Sequence, residues 1–302
     1  LIEGEYVPMN KEEGIRFIKT SVSKGNTEAI FQFGVMLFKG KGMKMNKKEG
    51  IKYIKKAADK ENTEAMHFYG NILLDETDVF LNKKEGIHYI QLAADKENVD
   101  ALYQFGLFLL NGYENIDPNP TEAAKYIKKA ADKNNPESAY LYGEMLFDGN
   151  GIQIDIEESA KYHKKGAELG YIKSIKRYSS MLLSGYGVSI DKEEGIKYLK
   201  MAADQGDAES MRKYGHFLLE KEDKKEAVDY IRKAAEKEDP FSLYLYGRIL
   251  FNGEHVEANK EEGIKLIKRS SELGEKHAIL VEKALFSDPI KTTVDKIKVI
   301  EC

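Results

Sequence analysis

Six histidines, one cysteine and an abundance of carboxylates are the residues of this chain that could do chemistry. Histidine and cysteine at short fixed spacings bind zinc. A histidine beside a carboxylate can move protons, and a thiolate can attack a carbonyl. The spacings here support none of these. His67, His88, His163, His216, His255 and His277 form no HExxH and meet no cysteine at zinc spacing. Cys302 ends the chain without a placed base. No pair of carboxylates stands in apolar surroundings that would drive their pKa values apart. KGKG at 39–42, GNG at 149–151 and GYG at 185–187 look like phosphate loops, but none has a strand before it and GKS or GKT after it. No catalytic residue, metal or cofactor is expected, and the chain reads as a non-enzyme.

Charge narrows the partners. Forty-seven Lys and Arg against 51 Asp and Glu give a net charge of -4, which offers no general attraction to nucleic acid or an anionic membrane. A basic spread, Lys173, Lys176, Arg177, Arg212 and Lys213, is interleaved with Glu168, Asp204, Asp207 and Glu209. Nucleic-acid binding needs a continuous positive stripe with stacking aromatics, so neither nucleic acid nor membrane is expected as a partner. One cysteine allows no internal disulfide, and no Asn-x-Ser/Thr acceptor occurs. Both favour a reducing compartment, hence the cytoplasm. There is no run of 18 apolar residues and no apolar leader.

The elements that must position any site are written as a repeat. An aromatic residue precedes glycine at Phe33-Gly34, Tyr69-Gly70, Phe105-Gly106, Tyr142-Gly143, Tyr214-Gly215 and Tyr246-Gly247, with Tyr178-Ser179 in fifth place. The steps are 36, 36, 37, 36, 36 and 32 residues. A second series of small pairs, Ala57-Ala58, Ala93-Ala94, Ala130-Ala131, Gly166-Ala167, Ala202-Ala203, Ala234-Ala235 and Ser270-Ser271, keeps nearly the same steps. Each unit therefore holds two helical patterns. In the second, TEAAKYIKKAADK, Ala123, Tyr126, Ile127, Ala130 and Ala131 share a face and the lysines lie opposite, read as a solvated surface. Glycine in mid-helix costs propensity, so a second helix is expected to cross closely there, with the Ala-Ala pair as its matching surface. Two helices cannot hide both apolar faces, but stacked pairs can. The short step falls in LLEKEDKKEAVDY at 218–230, where the connecting loop lacks four residues.

AMHFYG at 65–70, SAYLYGEMLFDGNGI at 138–152 and GIKYLKMAADQGDAESM at 195–211 resemble the Sel1-like repeat family over almost the whole chain. The resemblance implies an all-α fold, a right-handed superhelix of about seven antiparallel helix pairs similar to tetratricopeptide repeats. Residues 1–302 are then one solenoid whose first unit lacks its first helix, with capping helices over 275–302. The chain begins without Met inside a repeat, so it reads as a fragment. The family's implied role is that of a scaffold or adaptor for proteins. Its disulfide-linked cysteine-rich branch is excluded by the single cysteine. A regulatory arm of a larger polypeptide with a catalytic domain such as a kinase, and a self-associating scaffold, are the alternatives.

If each first helix lines the inner surface, as in the related folds, the glycine register names the groove residues. Three before the glycine come Phe31, His67, Tyr103, Tyr140, Lys176, Arg212 and Tyr244. One after it come Val35, Asn71, Leu107, Glu144, Ser180, His216 and Arg248. Both sets vary, whereas the residue just before the glycine stays aromatic and reads as structural. Tyr103, Tyr140 and Tyr244 are the expected anchors for a protein or peptide segment. Arg212, Arg248 and Lys176 would pair with acidic side chains or a free carboxylate, with His67 and Glu144 completing the groove.

Overall fold

A computed structural model describes residues 11–75, 81–221 and 224–286, which form helices and turns with no β-strand among them beyond an isolated bridge at Tyr113 and Ile116. The loop expected over residues 1–9 and the helix expected after Asp288-Pro289 lie outside the described residues. Two compact units divide the chain at Leu169 and Gly170. Unit 1 contains α1 (Lys11–Ser23), α2 (Thr27–Lys39), α3 (Lys47–Ala58), α4 (Thr63–Leu74), α5 (Lys83–Asp95), α6 (Val99–Asn111), α7 (Pro120–Asp132), α8 (Pro136–Asp148) and α9 (Ile156–Glu168). Unit 2 contains α10 (Ile172–Ser184), α11 (Lys192–Asp204), α12 (Ala208–Leu219), α13 (Lys224–Glu236), α14 (Pro240–Asn252), α15 (Lys260–Glu272) and α16 (Lys276–Phe286). Even-numbered helices are the first helices of the repeat and odd-numbered ones the second. Within each unit, every helix packs on its neighbours in sequence, as an all-α repeat solenoid requires.

Polar caps set the helix starts. Asn46 and Asn62 Oδ1 accept from the backbone N–H of Glu49 (3.1 Å) and Ala65 (2.7 Å). Asp155, Asp191, Asp207 and Asp239 do the same for α9, α11, α12 and α14. Each satisfies a donor that the helix leaves open. First helices such as α8 stop at a left-handed residue, Gly149 at φ +74, whose N–H donates to Met145 O.

The close crossing lies inside each pair, and the residue opposite the glycine differs from expectation. A Cβ on Gly34 would come within 2.8 Å of Ile54 Cγ1, 2.9 Å of its backbone N and 3.0 Å of Gly50 O. The partner is thus a second glycine, two turns before Ala57-Ala58, and an isoleucine one turn before that pair, both on α3. That small pair is fully buried elsewhere in the same core. The crossing pairs are Gly34/Gly50, Gly70/Gly86, Gly106/Ala123, Gly143/Ser159, Ser179/Gly195, Gly215/Ala227 and Gly247/Gly263, and each keeps at least one glycine. Where one partner is serine, its hydroxyl donates to the carbonyl opposite: Ser159 to Gly143 O (2.8 Å) and Ser179 to Gly195 O (2.7 Å).

The aromatic before the glycine is structural, as expected. Tyr69 meets Tyr89 edge-on at 4.9 Å, Tyr142 meets Tyr162 at 4.6 Å, and Tyr214 meets Tyr230 at 4.9 Å. The ammonium of a lysine on the preceding second helix covers each pair: Lys55, Lys128 and Lys200. Gln91 stands in that place beside Phe105 and Tyr126. The tyrosine hydroxyls donate back to the preceding second helix, Tyr89 to Asp59 (2.7 Å), Tyr126 to Asp95 (2.8 Å), Tyr162 to Asp132 (2.8 Å) and Tyr230 to Asp204. The solvated reading of the repeat lysines therefore holds for Lys52 and Lys56 but not for Lys55. Burial alone would lower the Lys55 pKa, but its bond to Glu85 (2.7 Å) and the Tyr69 and Tyr89 rings raise it.

Candidate functional site on the first helices

The residues expected in a groove fall on the first helices. Between α4 and α6 the gap is closed by amides. Gln104 Nε2 donates to Asn71 Oδ1 (2.7 Å), and His67 Nε2 lies 2.8 Å from Gln104 Oε1 and 3.1 Å from Asn71 Nδ2. Tyr103 on α6 is half-buried. On α8, Tyr140 and Glu144 flank His163 of α9. The rings of Tyr140 and His163 are 5.6 Å apart, and Glu144 Oε1 is 3.1 Å from His163 Nε2.

In unit 2 Lys176 and Arg212 meet acids at the start of the next first helix. Lys176 Nζ is 2.6 Å from Glu209 and 3.2 Å from the capping Asp207. Arg212 Nε is 3.4 Å from the capping Asp239, and the guanidinium lies over the Phe241 ring. Tyr244 is 5% exposed and stacks on His277 at 5.7 Å, with the Arg248 guanidinium also over its ring. Tyr244 thus packs α14 on α16. The expected residues are not brought into one site; they form local sets.

One gap stays open. Between α10 and α12 is a cavity of about 430 Å³. Its floor is Leu183, Ile196, Leu199 and Phe217, and its rim carries Lys176, Lys213, His216, Ser180 and Ser184. Its cause is local. Val35, Asn71, Leu107 and Glu144 occupy the position after the glycine in earlier units, and Ser180 leaves that space unfilled. Lys213 Nζ is 2.7 Å from Glu209 Oε1, so two lysines converge on one carboxylate. Those two bonds, to Lys176 and then Lys213, pull the Glu209 carboxyl down to about 2.

The first-helix charges also differ by unit. In unit 1 they are Glu28, Glu64, Asp100, Glu137, Glu144 and Asp148 against Lys39. The first four lie in opening turns, where they suit the helix dipole; Glu144 and Asp148 do not. In unit 2, α10 carries Lys173, Lys176 and Arg177, α12 carries Arg212 and Lys213, α14 carries Arg248, and α16 carries Lys276 and Lys283, against Glu209 and Glu282.

Sequence reasoning missed the cavity, Lys213 and His163. Ser180 was visible as the smallest residue in its series. His163 was visible as the polar member of Ile54, Ile90, Ile127, His163, Leu199, Ile231 and Ile267. Among the described residues, no group of three or more His, Cys, Asp or Glu could hold a metal ion. None of the described helices is long and apolar enough to cross a membrane.

The model of the Sel1 repeat matches residues 99–135, 136–171, 173–207, 208–239 and 240–275. That of plant tetratrico peptide repeats matches residues 3–96. No curated protein matches the chain. Among solved structures, a protective antigen present in uropathogenic Escherichia coli strains, displaying an SLR fold, superposes with a TM-score of 0.84 at 20% identity. The match covers 99% of this chain and 66% of that one, so the chain spans just under two thirds of the antigen. A Sel1 repeat protein from Oxalobacter formigenes superposes with a TM-score of 0.68 at 23% identity, over 90% of this chain and 80% of that one. Likeness at these identities speaks for the fold.

Proposed function

The chain belongs to the Sel1 repeat family, and we propose that it is a non-catalytic scaffold that holds an acidic segment of a partner protein against α10 and α12. Repeat proteins of this kind generally bind other proteins through stacked helical faces. The observation that carries the finer reading is the open cavity with Lys176 and Lys213 at its rim and no carboxylate in its lining. Glu209 occupies both ammonium groups from outside that lining. It stands where a partner's carboxylate would bind, as an internal substitute that an incoming acid displaces. The apolar floor takes the side chain next to that acid, and the serines offer hydroxyls to its backbone. A reducing compartment, favoured by the single cysteine, fits this reading.

Titration of fluorescein-labelled peptides, each an Asp or Glu beside Leu or Phe in a Gly-Ser frame, tests it by anisotropy. Lys213→Ala weakens binding, whereas Glu209→Gln tightens it by releasing Lys213 and leaving Lys176 only its longer bond to Asp207. Equal affinity of wild type and both variants, or weaker binding by Glu209→Gln, contradicts the reading.

A further inference from the structure

Helix α10 begins without the polar cap that its counterparts have. Each of the other described first helices places a side-chain oxygen on an N–H of its opening turn, in unit 2 from Asp207, Asp239 and Glu275. Tyr171 holds the cap position of α10 in the same extended backbone, φ -77 and ψ 111 against φ -74 and ψ 114 at Asp207. It makes no side-chain cap bond. The opening N–H groups of α10 thus lack the side-chain acceptor that suits a helix start.

A second group at the same place also lacks a partner. Ser174, three residues past the cap, is fully buried, and its hydroxyl has no hydrogen-bond partner. Its equivalents show what such a hydroxyl binds. Ser210 donates to Asp207 Oδ2 from its backbone N–H (2.8 Å) and from its Oγ (2.7 Å). Ser242 donates to Asp239 Oδ2 in the same way, at 2.9 Å and 2.6 Å. Ser210 and Ser242 are as buried as Ser174, at 1% and 0% exposure, so burial does not keep a carboxylate from this pair of donors. Ser138 Oγ on α8 is also unpartnered, but there Asn135 Oδ1 fills the cap. Among the described first helices, only α10 combines the orphan hydroxyl with an open cap.

Charge favours the same occupant. A helix start carries the positive end of the dipole, and α10 has Lys173, Lys176 and Arg177 with no acid. The acids where α11 ends and α12 begins have partners of their own: Asp204 accepts from Tyr230, and Lys176 holds Asp207 and Glu209. We infer that the start of α10 is a subsite for a carboxylate of a partner protein, which Ser174 binds through its N–H and Oγ as Ser210 binds Asp207. An aspartate side chain and a C-terminal carboxylate share this chemistry. Ser174 does not line the cavity between α10 and α12, so the subsite goes beyond the reading of that cavity and does not rest on it.

The test uses the whole chain labelled with 15N-serine, the Ser174 amide signal being identified by its loss in Ser174→Ala. The probes, titrated at matched salt, are N-acetyl-aspartate amide for a side chain and N-acetylglycine for a chain terminus, with N-acetyl-asparagine amide as the neutral control. The Ser174 signal shifts and saturates with a carboxylate probe and stays still with the asparagine probe; the tighter carboxylate identifies the source. Tyr171→Ala and Tyr171→Asp both remove the ring, but only the second supplies its own carboxylate. The shift persists in Tyr171→Ala and is abolished in Tyr171→Asp, which also melts above Tyr171→Ala. A wild-type Ser174 signal unmoved by either carboxylate, an equal shift from the asparagine probe, or the same result in both Tyr171 variants overturns the inference. Loss of acidic-peptide binding in Lys213→Ala leaves it untouched, so the two readings fail separately.

Discussion

Adding one methyl group at Gly50 tests the crossing geometry. A Cβ there would lie 2.6 Å from Phe38 N, 2.7 Å from Gly34 O and 2.9 Å from Phe38 Cα. All three neighbours are backbone, so α2 and α3 must move apart to admit it. At Gly195 the same methyl meets Leu183 Cδ2 and Cγ at 2.8 Å and Leu182 Cβ at 3.3 Å, all side-chain atoms. Both substitutions gain about 1 kcal/mol of helix propensity. Overpacking costs about 1–3 kcal/mol, towards the upper end where only backbone can yield. Gly50→Ala is therefore expected to lose about 1–2 kcal/mol, and Gly195→Ala to stay within about 0.5 kcal/mol of the parent. The natural pairs agree in direction. A Cβ on Gly34, facing glycine, comes within 2.9 Å of the opposing backbone; on Gly106, facing Ala123, the nearest opposing backbone atom is at 3.5 Å. Urea unfolding followed by far-ultraviolet circular dichroism, with hydrogen exchange to localise the loss to α2 and α3, measures both. Equal cost at the two sites, or a neutral Gly50→Ala, refutes the reasoning.

The remaining predictions concern single residues. His163→Ile fills the column with its usual residue and removes two unsatisfied nitrogens, so stability rises by about 1–2 kcal/mol, or about 2–4 °C in Tm per kcal/mol; a lower Tm would contradict this. Asn134 has φ +66 at the turn from α7 to α8, and Asn134→Gly relieves that strain for about 0.5–1 kcal/mol of stability, read by thermal melting. Tyr126, Tyr162 and Tyr230 are raised to about 12, by burial first and then by their bonds to Asp95, Asp132 and Asp204. Their folded values exceed the ordinary value of about 10, so their stabilisation is complete below pH about 10 and is lost as pH rises through about 12. Alkaline titration by phenolate absorbance should show a late tyrosine class released with unfolding; simultaneous titration of all 18 tyrosines in folded protein would oppose it.

Much of the fold was legible because helix pairing here is local in sequence. The phase of Phe33-Gly34 and its successors placed the first helices from α2 to α14, and the aromatic of each pair marked a packing position. The opposing surface was misread, since the Ala-Ala pair and Gly50 both satisfy the periodicity of α3 and only three-dimensional packing chooses between them. The lysine face was partly misread for a related reason. Lys55 meets Glu85, and Tyr89 meets Asp59, across a full repeat, a distance that the period of one helix cannot reveal. The acids facing Lys176 and Arg212 were hidden as helix caps, a role that accounts for Asp207 and Asp239 without showing their second partner. The cavity was legible only as an omission, Ser180 where Val35, Asn71, Leu107 and Glu144 stand in other units.

Ser180→Leu gives the most direct test of the scaffold reading. It places in the cavity a leucine that the protein already carries at Leu107 in another unit, on an exposed position of α10 where the fold should tolerate it. The acidic Leu- or Phe-containing peptides are titrated against wild type and variant at matched salt, with circular dichroism confirming equal helicity. Binding by wild type and at least tenfold loss in the variant are the predicted results. Undiminished binding by a folded Ser180→Leu protein would contradict the assignment of α10 and α12 as the docking face.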